Sequence, residues 1–210
     1  METQRPNLLP LLFICFSLRL ISAVGESNYS NTTNGTDFIR TSCGATLYPD
    51  VCFSSLSRYA AAVGRDPAQL ARAAITVSLA KTKHMAAYVS NVSRQADYGA
   101  ASDPRAAAAL HDCFSNFGDA VDEIRGSLRQ MRHLDPGVAG AGGESFRFQM
   151  SNVQTWMSAA LTDQETCTDG FEDVSDGPVK ADVIGRANEV KKHTSNALAL
   201  VNHYAEKAVP

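Results

Sequence analysis

The chain has 210 residues, of which 44% are hydrophobic and 20% are charged, and its formal net charge is -3. This length suits one domain of ordinary size, and the apolar fraction is large enough to bury a core, which excludes an intrinsically disordered protein. The slightly acidic balance lacks the basic excess of nucleic-acid binders, so we expect no nucleic-acid partner.

Residues 1–25 have the features of a secretory signal peptide. A mainly apolar stretch follows Arg5, and the small residues Ala23 and Gly25 are spaced like a signal-peptidase site. A membrane anchor is the alternative, but Arg19 interrupts the stretch and an anchor needs about 20 apolar residues. We therefore predict a secreted, extracellular protein with no membrane segment after signal removal.

The remaining chain carries an even number of cysteines and several potential N-glycosylation sites, and both features are typical of exported proteins. The glycosylation sites are Asn28, Asn31, Asn34 and Asn91. Most of them lie in the polar segment 26–35, which we expect to be a disordered, glycosylated leader before a single folded domain at 36–210.

Long stretches of the domain show the apolar periodicity of amphipathic helices, and none shows the two-residue period of a strand. The predicted helices span residues 66–96, 103–134, 144–168 and 178–206. Asp66-Pro67 and Asp103-Pro104 each supply an N-cap followed by a first-turn proline. The pattern predicts an all-α fold, an up-down-up-down four-helix bundle over 66–206.

The second of these helices has an apolar seam sustained over three heptads. We expect its members to form the core: Leu110, Phe114, Phe117, Val121, Ile124, Leu128 and Met131.

The cysteine positions predict how the bundle is cross-linked. Cys113 and Cys167 are equally distant from Gly140 in the Gly-rich loop 136–143, so antiparallel helices would bring them level and allow a disulfide. Cys43 and Cys52 then pair locally around the Tyr48-Pro49 turn. Residues 36–62 are expected to form a short helical hairpin that either packs on the bundle or projects from it.

The sequence contains no motif that indicates catalysis or metal binding. It has no G-x-S-x-G, H-E-x-x-H, P-loop or C-x-x-C pattern, and its histidines have no ligand spacing. We therefore expect a binding protein without a catalytic residue, metal or cofactor. Its acidic residues between Asp163 and Asp176 form either a solvated helix end or a docking face for a basic partner.

Three motifs carry a family resemblance. The hairpin motif Cys43-x-x-Thr46-x-Tyr48-Pro49-x-x-Cys52, the segment LHDCFSNFGDAVDEI at 110–124 and the segment VQTWMSAALTDQETCTDGF at 153–171 occur in order. Together they resemble the plant invertase and pectin methylesterase inhibitor family. The resemblance implies a helical hairpin before a four-helix bundle, disulfides joining the first to the second and the third to the fourth cysteine, and a non-catalytic protein of the apoplast.

The resemblance also implies a target and a contact surface. The motif around Cys167 resembles pectin methylesterase inhibitors, whereas the Pro-Lys-Phe motif of invertase inhibitors is absent. We expect a monomer that forms a 1:1 complex over the esterase's active-site cleft in the cell wall. An invertase inhibitor and a secreted bundle that inhibits nothing are the alternatives. The residues that match the family's enzyme contacts are Ser115, Asn116, Asp119, Asp122 and Thr166. No esterase domain follows Pro210 in the sequence, so we do not expect a pro-enzyme.

Overall fold

The computed structural model describes residues 33–98, 103–134 and 145–208, with the side chains of 97 and 98 excepted. The predicted signal peptide at 1–25 and the potential glycosylation sites Asn28 and Asn31 lie outside the described residues. Of the other two, Asn34 is exposed on the first helix and Asn91 is exposed on a helix of the bundle.

The N-terminal part is a hairpin of short helices. Helix α1 covers residues 33–43, and after a turn α2 follows at Pro49–Leu56. A 3-10 turn at Ser57–Tyr59 then leads into the short helix α3 at Ala60–Val63. The Cys43–Cys52 disulfide joins α1 to α2, as predicted.

Four long helices follow, and they confirm the predicted all-α bundle. They are α4 at Pro67–Tyr98, α5 at Pro104–His133, α6 at Phe146–Asp169 and α7 at Pro178–Ala208. Each packs against the next, and α7 packs back against α4, which is the square arrangement of an up-down-up-down bundle.

Local signals explain where α4 and α5 begin. The Asp66 carboxylate accepts from the backbone N–H of Ala68 at 2.8 Å, and the Asp103 carboxylate accepts from that of Arg105 at 2.9 Å. Each cap satisfies one of the amide groups that a helix start leaves without an intrahelical partner.

A buried polar layer divides the core into two apolar clusters. The hydroxyls of Ser78 on α4 and Thr194 on α7 are 2.9 Å apart. One turn further on α4, the Thr82 hydroxyl accepts from the Gln164 amide of α6 at 3.1 Å. Because buried polar groups are costly when unpaired, these contacts favour one axial alignment of α4, α6 and α7.

The predicted Cys113–Cys167 disulfide is present and connects α5 with α6 at a Cα–Cα distance of 4.1 Å. Both cysteines are buried in the apolar cluster beyond the polar layer. In the chain-entropy account, closing a loop of this size stabilises the fold by about 4 kcal/mol.

The hairpin packs on the bundle and does not project from it. Ile39, Leu56 and Val63 are buried in the same apolar cluster as side chains of the bundle helices. The buried Asn196 side chain of α7 also accepts from the backbone N–H of Tyr48 at 3.1 Å and donates to its carbonyl at 2.9 Å. This amide therefore satisfies the backbone of the turn between α1 and α2.

Two expectations from the sequence need correction. Residues 33–35, expected to belong to a disordered leader, are helical and form the first turn of α1. This turn packs closely on α3, where a Cβ at Gly35 would lie 2.1 Å from the Ala60 carbonyl oxygen, so a tertiary contact accompanies the helix at residues whose local sequence disfavours one. Phe114, expected in the core seam of α5, is 44% exposed. The buried stripe passes through Cys113 instead, and Phe114 lies about 100° further around the helix.

We expect Asn196→Ala to loosen the hairpin without unfolding the bundle. The substitution removes two hydrogen bonds to Tyr48, which should lower the free energy of unfolding by about 1–3 kcal/mol. In the variant, amide hydrogen exchange of residues 33–63 should be faster than in the wild type, while exchange in α5 and α6 should change less. Asn188→Ala, at an exposed position of the same helix, is the control. Equal exchange rates in the two variants would contradict the role of Asn196.

Candidate functional site

The candidate contact residues on α5 lie on the outward side of the helix. Ser115, Asp119 and Asp122 are exposed, and Asn116, one turn after Cys113, is half-buried. Asp122 forms an ion pair with Arg125, which lies one turn further along α5. The exposed side of α5 therefore presents polar and acidic groups directly after the disulfide.

The disulfide brings Thr166 of α6 close to these residues. Cys113 and Cys167 lie at the same height in the antiparallel pair of helices. Asn116 lies three residues beyond this level and Thr166 one residue beyond it in the same direction, so their heights differ by about 3 Å. Thr166 is exposed, and its hydroxyl donates to the Thr162 carbonyl at 3.0 Å, which orients the side chain along its own helix. All five sequence-predicted contact residues thus lie on one side of the bundle.

Two carboxyl groups, those of Glu123 and Asp163, are hydrogen bonded to each other between α5 and α6, and the charge of Asp119 acts on both. Burial raises the pKa of Glu123 to about 7, with further contributions from the charge of Asp163, a hydrogen bond with Asp163 and the charge of Asp119. The pKa of Asp163 is raised by burial and by Asp119, while the hydrogen bond with Glu123 acts in the opposite direction. Glu123 also has one buried oxygen without a hydrogen-bond partner. In mildly acidic surroundings Glu123 therefore holds a proton next to Asp163.

Trp156 of α6 extends the same side of the bundle with apolar surface. Its indole ring lies against Gly126 of α5, where an added Cβ would be 3.4 Å from the ring. Trp156 is half-buried, so part of the ring faces solvent two turns from Asp163. A partly exposed Trp beside polar groups is the residue type that often dominates a protein interface.

We call this side of the bundle the docking surface. It comprises Ser115, Asn116, Asp119, Asp122 and Glu123 on α5 with Trp156, Asp163 and Thr166 on α6. The sequence did not single out Glu123 or Trp156 as contacts, and it pointed to Asp163 only as the first member of the acidic segment 163–176. Their distances along the sequence from Cys113 and Cys167 could have identified them. Helical periodicity at these distances places them on the flanks of α5 and α6 next to the disulfide.

The structure divides the acidic segment of residues 163–176. Asp163 faces α5, but Glu165 pairs with Lys191 of α7 at 3.6 Å. Asp176 pairs with Lys180 at 3.2 Å. The acidic residues of this segment therefore do not form one continuous face, and only part of their charge belongs to the docking surface.

Across the described ranges, no three His, Cys, Asp or Glu side chains are grouped so that they could hold a metal ion. No helix in these ranges is both long and apolar enough to cross a membrane.

The family described as plant invertase/pectin methylesterase inhibitor matches residues 37–200, which include most of the hairpin, the docking surface and most of α7. The chain belongs to this family. The match covers more than half of the sequence and confirms the resemblance that the cysteine motifs indicated. Because the family is one of inhibitors, the prediction that the chain is not an enzyme is confirmed as well.

Individual relatives match over most of their length. The "21 kDa protein" of Daucus carota is 42% identical over 171 residues, covering 81% of this chain and 84% of its own. Pectinesterase inhibitor 9 of Arabidopsis thaliana is 36% identical over 198 residues, which cover 93% of this chain and 94% of the relative. A crystal structure of a mutant form of a pectin methylesterase inhibitor from Arabidopsis has a TM-score of 0.58 and covers 76% of this chain and 92% of its own. At 17% identity it supports the fold alone.

The carboxyl groups of Glu123 and Asp163 predict a pH-dependent stability. Below pH 4.5, the usual pKa of Glu123, the carboxyl is protonated in both the folded and the unfolded chain. Between this pH and about 7 the folded protein binds more protons, so the free energy of unfolding falls as the pH rises. We expect a loss of about 1 kcal/mol, since solvent screens this partly exposed pair.

Glu123→Gln should remove this loss, because an amide keeps a hydrogen-bond donor beside Asp163 without ionising. Urea unfolding at pH 5 and pH 8 measures the difference. Glu172→Gln removes the same charge at an exposed position and should retain the wild-type pH dependence. An identical pH dependence in both variants would show that Glu123 does not hold the proton.

Proposed function

We propose that this protein inhibits pectin methylesterase by placing its docking surface over the enzyme's active-site cleft, and so regulates pectin demethylation in the cell wall. The choice of target is carried by the match with Pectinesterase inhibitor 9 over nearly the full length of both chains. Five of the contact residues are proposed from the family resemblance, and Glu123, Trp156 and Asp163 are added from the geometry of α5 and α6. None of them takes part in chemistry.

The docking surface combines one partly exposed aromatic side chain with several carboxyl groups. Trp156 supplies a partly exposed aromatic group next to Gly126, and Asp119 and Asp163 place negative charge elsewhere on the same surface. An aromatic anchor gains affinity when a partner buries it, while surrounding charges steer a partner of opposite sign and exclude wrong ones. The surface therefore favours a partner that presents basic groups around its cleft.

Inhibition of invertase is the less favoured target. Pectinesterase inhibitors 3 and 9 of Arabidopsis thaliana, at 39% and 36% identity, carry the pectinesterase name. The absence of a Pro-Lys-Phe motif points in the same direction. A secreted bundle that binds without inhibiting remains the other alternative.

The proposed place of action is the apoplast. The apolar segment in residues 1–25, the two disulfides and the potential glycosylation sites support export, since disulfides persist in oxidising compartments. We propose a monomer that forms a 1:1 complex, because the docking surface lies on a single bundle and needs no second copy to complete it.

The purified protein should inhibit a plant pectin methylesterase at a roughly equimolar ratio and leave invertase active. Release of methanol from pectin and cleavage of sucrose are the two assays. Inhibition of sucrose cleavage alone would establish the invertase alternative. No effect on either enzyme would favour the bundle that binds without inhibiting.

Gly118→Arg should weaken the complex with the esterase by roughly tenfold, or about 1.4 kcal/mol. Gly118 lies on the outward side of α5 between Ser115 and Asp122, and a side chain there would meet no other atom within 4 Å. The arginine would add bulk and positive charge to an acidic surface, whereas the loss of a helical glycine favours the fold.

Gly185→Arg is the matched control, because Gly185 is also an unobstructed helical glycine but lies on α7. It should leave inhibition unchanged. The inhibition constants of the two variants decide the matter: equal weakening, or weakening by Gly185→Arg alone, would place the esterase contact elsewhere.

A further inference from the structure

A second concave surface lies on the opposite side of the bundle. Helices α4 and α7 form the side of the square that faces away from α5 and α6, and a groove of about 590 Å³ runs between them. The buried side chains of Met85 and Val190 form part of its lining, and exposed polar groups form its rims.

The groove continues toward the hairpin. A neighbouring depression of about 400 Å³ shares Lys81, Glu189 and His193 with it and extends to Arg58 and Ser54. The groove-lining residues of α7 run from Ala181 to His193, so the groove is about 18 Å long at 1.5 Å per residue. This shape suits an extended chain better than a compact small molecule.

The acidic groups of the groove are already paired. Asp182 accepts from the Arg186 guanidinium at 2.9 Å and from the Tyr88 hydroxyl. Glu189 accepts from the Lys192 ammonium at 2.5 Å. Their negative charge is therefore largely compensated within the protein.

Two cations of the groove have no carboxylate partner among the described residues. The Arg58 guanidinium lies 4.9 Å from the centre of the Tyr59 ring and donates to the Tyr59 hydroxyl at 3.0 Å. Lys81 is exposed and forms no ion pair within the described part of the chain. The groove thus keeps uncompensated positive charge in a protein whose net charge is negative.

The environment of His193 agrees with this charge balance. Burial and the positive charge of Lys81 lower the pKa of His193, and Lys192 acts in the same direction while Glu189 opposes it. Lys81 therefore places positive charge beside His193, where the two depressions meet.

We propose that the groove between α4 and α7 binds a linear chain of sugar acids with free carboxylates, the chemistry of de-esterified pectin. An extended groove with apolar side chains in its lining can accommodate successive sugar rings, and Arg58 and Lys81 can pair with carboxylates along the chain. The choice of this ligand rests on the proposed function, because an active pectin methylesterase leaves free carboxylates on pectin. The protein would then be retained on wall regions where its target has already acted.

The test uses the mature protein and a fully de-esterified oligogalacturonate, with binding measured by calorimetry. Lys81→Gln should weaken binding roughly 3- to 10-fold. Lys83→Gln is the control, because Lys83 is exposed on the same helix without lining the groove, and it should bind as the wild type does. The methyl ester of the same oligomer lacks the carboxylates and should bind at least tenfold more weakly.

A second pair of variants tests the location independently of the lysine. A side chain at Gly185 would meet no other atom within 4 Å and would extend into the groove that this residue lines, so Gly185→Glu should reduce binding at least tenfold. Gly118→Glu adds the same group on α5, on the other side of the bundle, and should have no effect. Circular dichroism should show that both variants remain folded.

Several outcomes would overturn the proposal. They are absence of saturable binding, equal binding of the acid and its methyl ester, equal effects of Lys81→Gln and Lys83→Gln, or equally tight binding of polyglutamate. Sedimentation that shows a dimer formed through the groove would assign it to a second copy instead. Inhibition of the esterase is measured separately, so failure here is distinguishable from failure of the proposed function.

Discussion

The disulfide between Cys113 and Cys167 sets the axial level of α5 relative to α6, and the docking surface depends on that level. If α6 shifted by one helical turn relative to α5, Thr166 and Asp163 would move by about 5 Å along the helix axis. The contact between Asp163 and Glu123 would then be lost. The covalent link is supported on the other side by the polar layer, in which Gln164 of α6 binds Thr82 of α4. The disulfide therefore aligns α6 with α5, and the polar layer aligns the same helix with α4.

The two sides of the bundle differ in charge for a structural reason. On the α5–α6 side, carboxyl groups lie close enough to share a proton, so the surface stays acidic but loses part of its charge in mildly acidic surroundings. On the α4–α7 side, Asp182 and Glu189 are neutralised by neighbours on their own helix, which leaves Lys81 uncompensated. A square bundle keeps these sides apart, so one protein could contact an enzyme and a wall polymer at once.

Much of the fold was predictable because its determinants are local. The helix starts follow from Asp66 and Asp103, whose caps need only residues two positions away. The Cys113–Cys167 pairing follows from equal distances to the loop at 136–143. Phe114 shows the limit of this reasoning: its spacing fits the heptad, but Cys113 already occupies the buried stripe, so the larger residue is exposed. The candidate contacts Ser115, Asn116, Asp119, Asp122 and Thr166 came from the family resemblance, and their role in binding stays a prediction.

The sequence by itself determined the helical class, the pairing of the cysteines and the family, since periodicity, capping and motif order are properties of the chain. Only the tertiary structure decided that Trp156 lies on Gly126, that Glu123 meets Asp163, and that Asn196 holds the hairpin turn. Such contacts join residues that are 30 to 148 positions apart, so their existence depends on the rotation and level of packed helices, which no local pattern specifies.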